Sequence, residues 1–257
     1  MNELVEFACT LADAAAAVIL PHFRSQLAVD NKAGAQAAYD PVTVADRDAE
    51  SSMRALIERH HPTHGILGEE HGSKPGSSDY LWVLDPIDGT RGFMTGLPTW
   101  GTLIGLMQGD RPVLGVMNQP FTGDRFIGHN GAVLHSRGKM THLKTRPCAR
   151  LEDAVLTSTA PEMFAADELP RFDQVRRRAR LVRYGADCYG FAMVAAGLID
   201  LVVEAGLKPY DIVALIPLIE GAGGIVTTWD GKPAHQGGRI IACGDRALHE
   251  TVLPLLQ

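Results

Sequence analysis

Tyr80-Leu81-Trp82-Val83-Leu84-Asp85-Pro86-Ile87-Asp88-Gly89-Thr90 runs from five apolar residues straight into two carboxylates, a proline and a glycine. A short apolar run closed by turn formers reads as a buried strand. Asp, Pro and Gly are also the residues of an ordinary surface turn, and that reading accounts for the segment's end on its own. Its place argues for more. A core strand delivers Asp85 and Asp88 to the rim of that core, where two acids repel each other unless something positive lies between them. Hard carboxylate oxygens favour Mg²⁺, which keeps several waters and is often shared with a phosphate. Gly89-Thr90 is then placed to open a short helix, whose free N–H groups suit phosphate oxygens.

Outward from this strand the pattern predicts a layered chain. Upstream, Leu4, Ala8, Leu11, Ala15, Val18 and Ile19 follow the helical period and predict a helix over 3–23. Residues 25–40 read as a loop or hairpin. A second helix over about 46–60 turns Met53, Leu56 and Ile57 inward and stops before His61-Pro62. Downstream, strands over 101–108 and 112–118 meet at Gly109-Asp110. Strands over 125–128 and 132–135 meet at Asn130-Gly131, a strong hairpin signal, so the middle is an antiparallel meander. Beyond Arg146-Pro147 strands at 154–158, 179–184, 200–204, 224–228 and 239–243 alternate with helices at 188–198, 211–222 and 246–256. Such alternation predicts α/β (α+β) layers, in an N-terminal half (1–146) and a C-terminal half (147–257) packed as one unit.

The chain has 257 residues, enough for one large domain or two small ones. Its 46% hydrophobic and 21% charged residues exclude a disordered chain, and no fixed period repeats in it. With 24 basic and 30 acidic side chains the net charge is −6, against the basic excess of a nucleic-acid binder. Arg176-Arg177-Arg178 reads as a solvated helix face. Cys9, Cys148, Cys188 and Cys243 are far apart, without a CxxC pair. The apolar run Ala14–Leu20 is short for a membrane span and lacks signal-peptide flanks. A cytoplasmic protein with free thiols and no membrane partner is expected.

Three further acidic clusters have both bland and chemical readings. Gly68-Glu69-Glu70-His71-Gly72 is an exposed acidic loop or a ligand loop. Asp46, in Asp40-Pro41-Val42-Thr43-Val44-Ala45-Asp46, caps the following helix or joins a site. Asp211, in Lys208-Pro209-Tyr210-Asp211, stands at another helix start. His60, His61, His64 and His71 lie in loop wording without a zinc partner pattern, and the Met and Ala residues of 188–198 read as core packing.

The order of these clusters is more specific than any one of them. Gly68-Glu69-Glu70, then Trp82-Val83-Leu84-Asp85-Pro86-Ile87-Asp88-Gly89-Thr90, then Tyr210-Asp211 and Glu220-Gly221-Ala222-Gly223-Gly224, with Thr43-Val44-Ala45-Asp46 upstream, resembles the inositol-monophosphatase superfamily over almost the whole chain. Asp88-Gly89-Thr90-Arg91-Gly92-Phe93, Leu97-Pro98-Thr99-Trp100-Gly101-Thr102, Arg183-Tyr184-Gly185-Ala186-Asp187-Cys188-Tyr189 and Val203-Glu204-Ala205-Gly206 look more like its histidinol-phosphatase branch. Arg91 and Asp187 stand where the inositol enzymes usually carry small residues, and Tyr210 where Trp is commoner.

The resemblance implies a layered αβαβα sandwich and a Mg²⁺-dependent phosphomonoester hydrolase working by metal-activated water attack. It implies two or three ions: Glu69, Asp85 and the Ile87 carbonyl hold the first, and Asp85, Asp88 and Asp211 the second. Thr90, hydrogen-bonded to Asp46, orients the water with Glu69, and the N–H groups of Gly89 and Thr90 hold the phosphate. Lys32 lies near the family's upstream lysine. Glu204, Asp187 and Arg91 fall at the substrate. Asp187 reads either as a partner for a cationic substrate or as a helix cap before Cys188. Histidinol phosphate is the expected substrate; inositol 1-phosphate, other sugar or nucleotide monoesters, or a non-catalytic ligand-binding role are the alternatives. A homodimer is implied by the resemblance alone.

Overall fold

The computed structural model describes residues 1–25, 29–31 and 41–257; Lys32 lies outside them. In chain order, helix α1 (Asn2–Ile19) continues into a 3-10 turn. Strand β1 (Val29–Asn31) pairs antiparallel with β2 (Pro41–Thr43), which leads into α2 (Val44–His60); the loop or hairpin expected over 25–40 lies mostly outside the described residues. Then come β3 (Gly65–Gly68), β4 (Gly72–Lys74), β5 (Tyr80–Asp88), α3 (Thr90–Met94), β6 (Gly101–Gln108), β7 (Arg111–Gln119), β8 (Asp124–Gly128), β9 (Ala132–Ser136) and β10 (Lys139–His142). These strands from β3 on form an eight-stranded sheet in the order β10-β9-β8-β7-β6-β5-β3-β4. The run from β6 to β9 is the expected meander, which β5 and β10 extend at its two ends. β3, β4 and β10 lie outside the sequence reading, and β3 pairs parallel to β5.

The second half adds β11 (Val155–Ser158), α4 (Leu169–Arg176), β12 (Leu181–Tyr184), α5 (Asp187–Ala195), β13 (Leu201–Leu207), α6 (Pro209–Ile212), α7 (Leu215–Gly221), β14 (Ile225–Thr228), β15 (Gly238–Cys243) and α8 (Arg246–Leu256). Its sheet runs β12-β11-β13-β15-β14. Strand alternation sorts the layers. Ile104, Leu106, Leu114 and Val116 pack against Ala8 and Leu11 of α1 and Met53 of α2. Their neighbours Leu103 and Met117 face Phe191 of α5 and Leu218 of α7, whose other side meets Val202, Ile240 and Ala242 of the second sheet. The far side of that sheet, Leu201, Val203 and Ile241, is covered by Phe172 of α4 and Val252 of α8. The result is the expected αβαβα sandwich, with a core shared by both halves.

Several expectations need correction. The single helix expected over 211–222 is two, α6 and α7, and the helix over 188–198 ends at Ala195, after which Gly197 takes a left-handed φ of +70°. Residues 2–22 together are long and apolar enough to cross a membrane by length and composition. Ala8, Leu11, Ala12, Ala15 and Ile19 nevertheless lie buried against the first sheet, as in a core helix. Arg176 and Arg177 pair with Asp173, and Arg178 with Glu152, on a solvated face. All four cysteines are free thiols. His61 and His64 stack at 4.7 Å, and His64 Nδ1 accepts the Trp82 indole N–H at 3.1 Å, so these rings pack.

A row of glycines decides where α6 and α7 sit. Gly105, Gly115 and Gly128 are register partners on β6, β7 and β8. A Cβ at Gly115 would lie 1.7 Å from the Ala214 carbonyl oxygen, and one at Gly128 2.2 Å from the Leu218 nitrogen. The missing side chains make a trough that admits helix backbone directly onto the sheet, and Asp211 rides on the helix so placed. Gly115→Ala is expected to lower the melting temperature by several degrees. Overpacking costs about 1–3 kcal/mol, and each kcal/mol moves a chain of this size by ~2–4 °C. A thermal melt within 1 °C (about the scatter of a melt, and below the shift those magnitudes imply) of the parent protein would contradict this placement.

Candidate active site

The carboxylates of β5 reach one cleft because the strand is irregular there. Asp85 pairs with Leu103 and Asp88 with Gly101, so three steps on β5 match two on β6. Strict alternation would send the two side chains to opposite faces, and the extra residue of this bulge re-aims one of them. The buried Thr102 hydroxyl donates to the Pro86 carbonyl (2.8 Å) and holds the bulge. Gly89 follows with φ +84°; a Cβ there would lie 3.1 Å from the Thr99 carbonyl and 3.2 Å from Asp187 Cβ. Thr90 then opens α3. Asp211 is the third residue of α6, its Oδ2 accepting the Lys208 backbone N–H at 2.7 Å. Glu69 lies in the β3–β4 turn, and its N–H donates to the Leu84 carbonyl (3.2 Å), which ties the turn to β5.

Glu69, Asp85, Ile87, Asp88, Gly89, Thr90 and Asp211 all line one cavity of about 160 Å³. One oxygen each from Asp85, Asp88 and Asp211 comes within 4.8 Å of the others. Asp85 is 1% exposed, and its Oδ1 is a buried oxygen with no hydrogen-bond partner. Burial, then Glu69, Asp88 and Asp211, drive its carboxyl well above the usual range. Burial and the charges of Asp187 and Asp211 do the same to Asp88, although the Cys188 N–H donates to its Oδ2 at 2.7 Å. An orphaned buried oxygen amid like charges is costly. Among the described residues, no lysine or arginine lines the cavity. An all-oxygen donor set of this kind fits a hard divalent cation, and the group can hold one.

The same cavity is lined by a second acidic pair, Asp187 and Glu204, and Asp187 adjoins the Asp88-Gly89 turn. Glu204 is 2% exposed, and its Oε1 accepts from both the N–H (2.8 Å) and the hydroxyl (3.0 Å) of Thr159. The same hydroxyl lies 3.4 Å from Asp187 Oδ1. Burial lifts Glu204 to about 8 and Asp187 to about 6, the latter held down in part by Thr159 and Arg91. Asp187 begins α5 with φ +45° and makes no capping bond, so the helix-cap reading gives way. A non-glycine residue in that region is strained, as side chains at functional sites often are. Met163, Phe191 and Leu207 supply apolar lining to the same cavity. Thr159 escaped the sequence reading; its only signal is that it directly follows β11, the parallel neighbour of β13.

Two expected residues stand elsewhere. The Thr90 hydroxyl donates to the Ile87 carbonyl at 3.1 Å rather than to Asp46. Asp46 instead closes a capping box at the start of α2, its Oδ2 accepting the N–H (2.9 Å) and hydroxyl (2.5 Å) of Thr43. A carboxylate three residues into a helix is drawn to these local donors first. Arg91, exposed on α3, is not among the described residues that line the cavity, and its charge holds Asp187 down.

Comparison with known proteins agrees with this geometry. The family model for the inositol monophosphatase family matches residues 1–257. The chain is 41% identical to the bifunctional phosphatase IMPL2, chloroplastic, of Arabidopsis thaliana, covering 100% of this chain and 76% of that protein. It is 31% identical to a histidinol-phosphatase of Chlorobaculum parvum over 98% of this chain and 96% of that one. Among solved structures, an inositol monophosphatase from Zymomonas mobilis superposes with a TM-score of 0.87 at 40% identity, covering 99% of this chain and 98% of that one.

The raised carboxyls set a pH dependence. In the folded chain Glu204 keeps its proton to about pH 8, whereas unfolded it loses it near ~4.3. Stability is therefore fully present at low pH and falls as pH rises through 8. His61, His64 and His249, whose pKa values are lowered by burial, act in the opposite sense below ~6.5. Without divalent cations, the melting temperature is expected to fall between about pH 6.5 and 8, and Glu204→Gln to flatten that fall. Parallel melting curves for the two proteins across that window would contradict the assignment.

Proposed function

The chain belongs to the inositol monophosphatase family and is a phosphatase of small-molecule phosphate monoesters; from that premise we propose that it depends on Mg²⁺ and prefers histidinol phosphate. The observation that supports the preference is that Asp187 and Glu204, bridged by Thr159, line the same small cavity as Asp85, Asp88 and Asp211. Asp85, Asp88, Asp211 and the start of α3 suit a phosphate with its cations, and Glu204, raised to about 8, is largely protonated near neutral pH until a cationic group meets it.

In this reading Glu69, Asp85, the Ile87 carbonyl, Asp88 and Asp211 hold the ions. When bound, magnesium supplies the positive charge that offsets these carboxylates and the phosphate, and polarises the reacting oxygens. The protein's own groups position the rest. Gly89 and Thr90 open α3, where N–H groups have no carbonyl one turn earlier to bond, and they take phosphate oxygens. The Thr90 hydroxyl, fixed on the Ile87 carbonyl, and Glu69 order the attacking water in line with the ester bond. Asp46 contributes by fixing the start of α2 through Thr43. Catalysis of this kind rests on positioning and electrostatics.

Histidinol phosphate carries an ammonium group and an imidazole close to its pKa. Their arrival favours the ionised forms of Asp187 and Glu204, so each acid gains a partner that a neutral polyol does not offer. The likeness to a histidinol-phosphatase supports this reading. A polyol monoester such as inositol 1-phosphate is the second reading, favoured by the 40% identical inositol monophosphatase structure; it asks nothing of Asp187.

Phosphate release from a panel of amino-alcohol, polyol, sugar and nucleotide monoesters separates the two. Histidinol phosphate is expected to have the highest kcat/KM, with activity lost in excess EDTA. Asp187→Ala is expected to lower that value by about tenfold or more, the scale of one charged hydrogen bond, while leaving the polyol ester within about threefold, as expected where no such bond is lost. Equal losses on both esters would overturn the cation-pairing role.

A further inference from the structure

Glu50 is a carboxylate with no exposed surface. It sits in the middle of α2, outside the cavity. Its Oε1 accepts the Arg54 Nε–H (2.6 Å) and the His71 backbone N–H (3.2 Å), and its Oε2 accepts the Glu70 backbone N–H (2.7 Å). Arg54 also donates through Nη2 to the Gly72 carbonyl. The His71 ring nitrogen Nε2 lies 3.1 Å from the Arg47 carbonyl and 2.9 Å from Ser51 Oγ. Residues 47, 50, 51 and 54 fall at the i, i+3, i+4 and i+7 positions of one helix face, and that face grips residues 70–72 of the β3–β4 turn.

Glu69 is the residue between this grip and β5, to which its own N–H is tied through Leu84. Gly68, just before it, makes room for the arrangement. A Cβ at Gly68 would lie 2.0 Å from Glu50 Oε1. A buried carboxylate is costly to keep in a core that an apolar side chain would fill, and here its oxygens serve the backbone of the turn that carries Glu69.

We propose that Glu50 is a positioning residue: by clamping the 70–72 backbone to α2 it sets the distance of Glu69 from Asp85, and with it the affinity for the cation these two share. The proposal rests on the metal reading of the cleft. It adds that the helix behind the turn tunes the ion, as groups that orient metal ligands commonly do.

The test is Mg²⁺ calorimetry on the folded full chain, with amide hydrogen exchange and Mg²⁺ titration of kcat alongside. Glu50→Gln leaves one oxygen for two N–H groups and turns an NH₂ toward a donor. It is expected to weaken the Mg²⁺ midpoint by ~10-fold or more and to speed exchange at the Glu70 and His71 amides. At saturating Mg²⁺, kcat is expected to return to within about twofold, because the ligand set of the filled site is unchanged. A merely structural role would reduce the folded fraction and leave the Mg²⁺ midpoint where it was. Arg54→Lys, which keeps the buried charge paired and frees Gly72, is expected to shift the midpoint in the same direction and serves if Glu50→Gln does not fold. A Mg²⁺ isotherm superimposing on the parent's in whichever variant folds overturns the role of Glu50. Absence of Mg²⁺ uptake by the parent protein overturns the metal reading itself, and the proposal with it.

Discussion

Asp85 lies toward the end of core strand β5, almost wholly out of water, and Glu69, Asp88 and Asp211 around it carry its own sign. Repulsion among buried carboxylates is the constraint to which the surrounding structure answers. Without cations Asp85 and Asp88 hold their protons well above the ordinary carboxylate range; carboxylates of this kind suit a divalent cation as ligands. A site of this kind trades stability of the empty protein for affinity, and that trade explains why so much local structure is committed to keeping the acids together.

Each acid is delivered by a different device. The β5 bulge re-aims Asp88 toward the side of Asp85. The glycine trough over Gly105, Gly115 and Gly128 seats α6 and α7 on the sheet and brings Asp211 across. The α2 face and Leu84 hold the Glu69 turn from two sides. The second acidic pair draws on the other sheet, where β11 and β13 run side by side and place Thr159 next to Glu204. The cleft is therefore lined by residues from both sheets.

Features fixed by short-range pattern were legible in the sequence. The apolar run Tyr80–Leu84, the helical period of α1 and α2 and the Asn130-Gly131 hairpin each depend on neighbours in the chain. β3 and β4 did not stand out, because Gly-Ile-Leu-Gly and Gly-Ser-Lys become strands only through pairing with β5 and with each other. The break between α6 and α7 does not disturb the apolar period, so 211–222 read as one helix. Asp46 was misplaced relative to Thr90 because a capping box satisfies it locally. The metal-type acids were found by their order along the chain. Glu50, a mid-helix glutamate in a polar segment, looks like any solvated one until a turn 20 residues away closes over it.

The pairing of buried acids with divalent cations is tested most directly by anomalous diffraction from crystals soaked in Mn²⁺, a scattering stand-in for Mg²⁺. Expected are peaks inside the cleft bridged by Asp85, one reached by Glu69 and the Ile87 carbonyl and one by Asp88 and Asp211. A cleft free of anomalous density at saturating Mn²⁺, with those four carboxylates unmoved, would contradict the claim that cations hold them together.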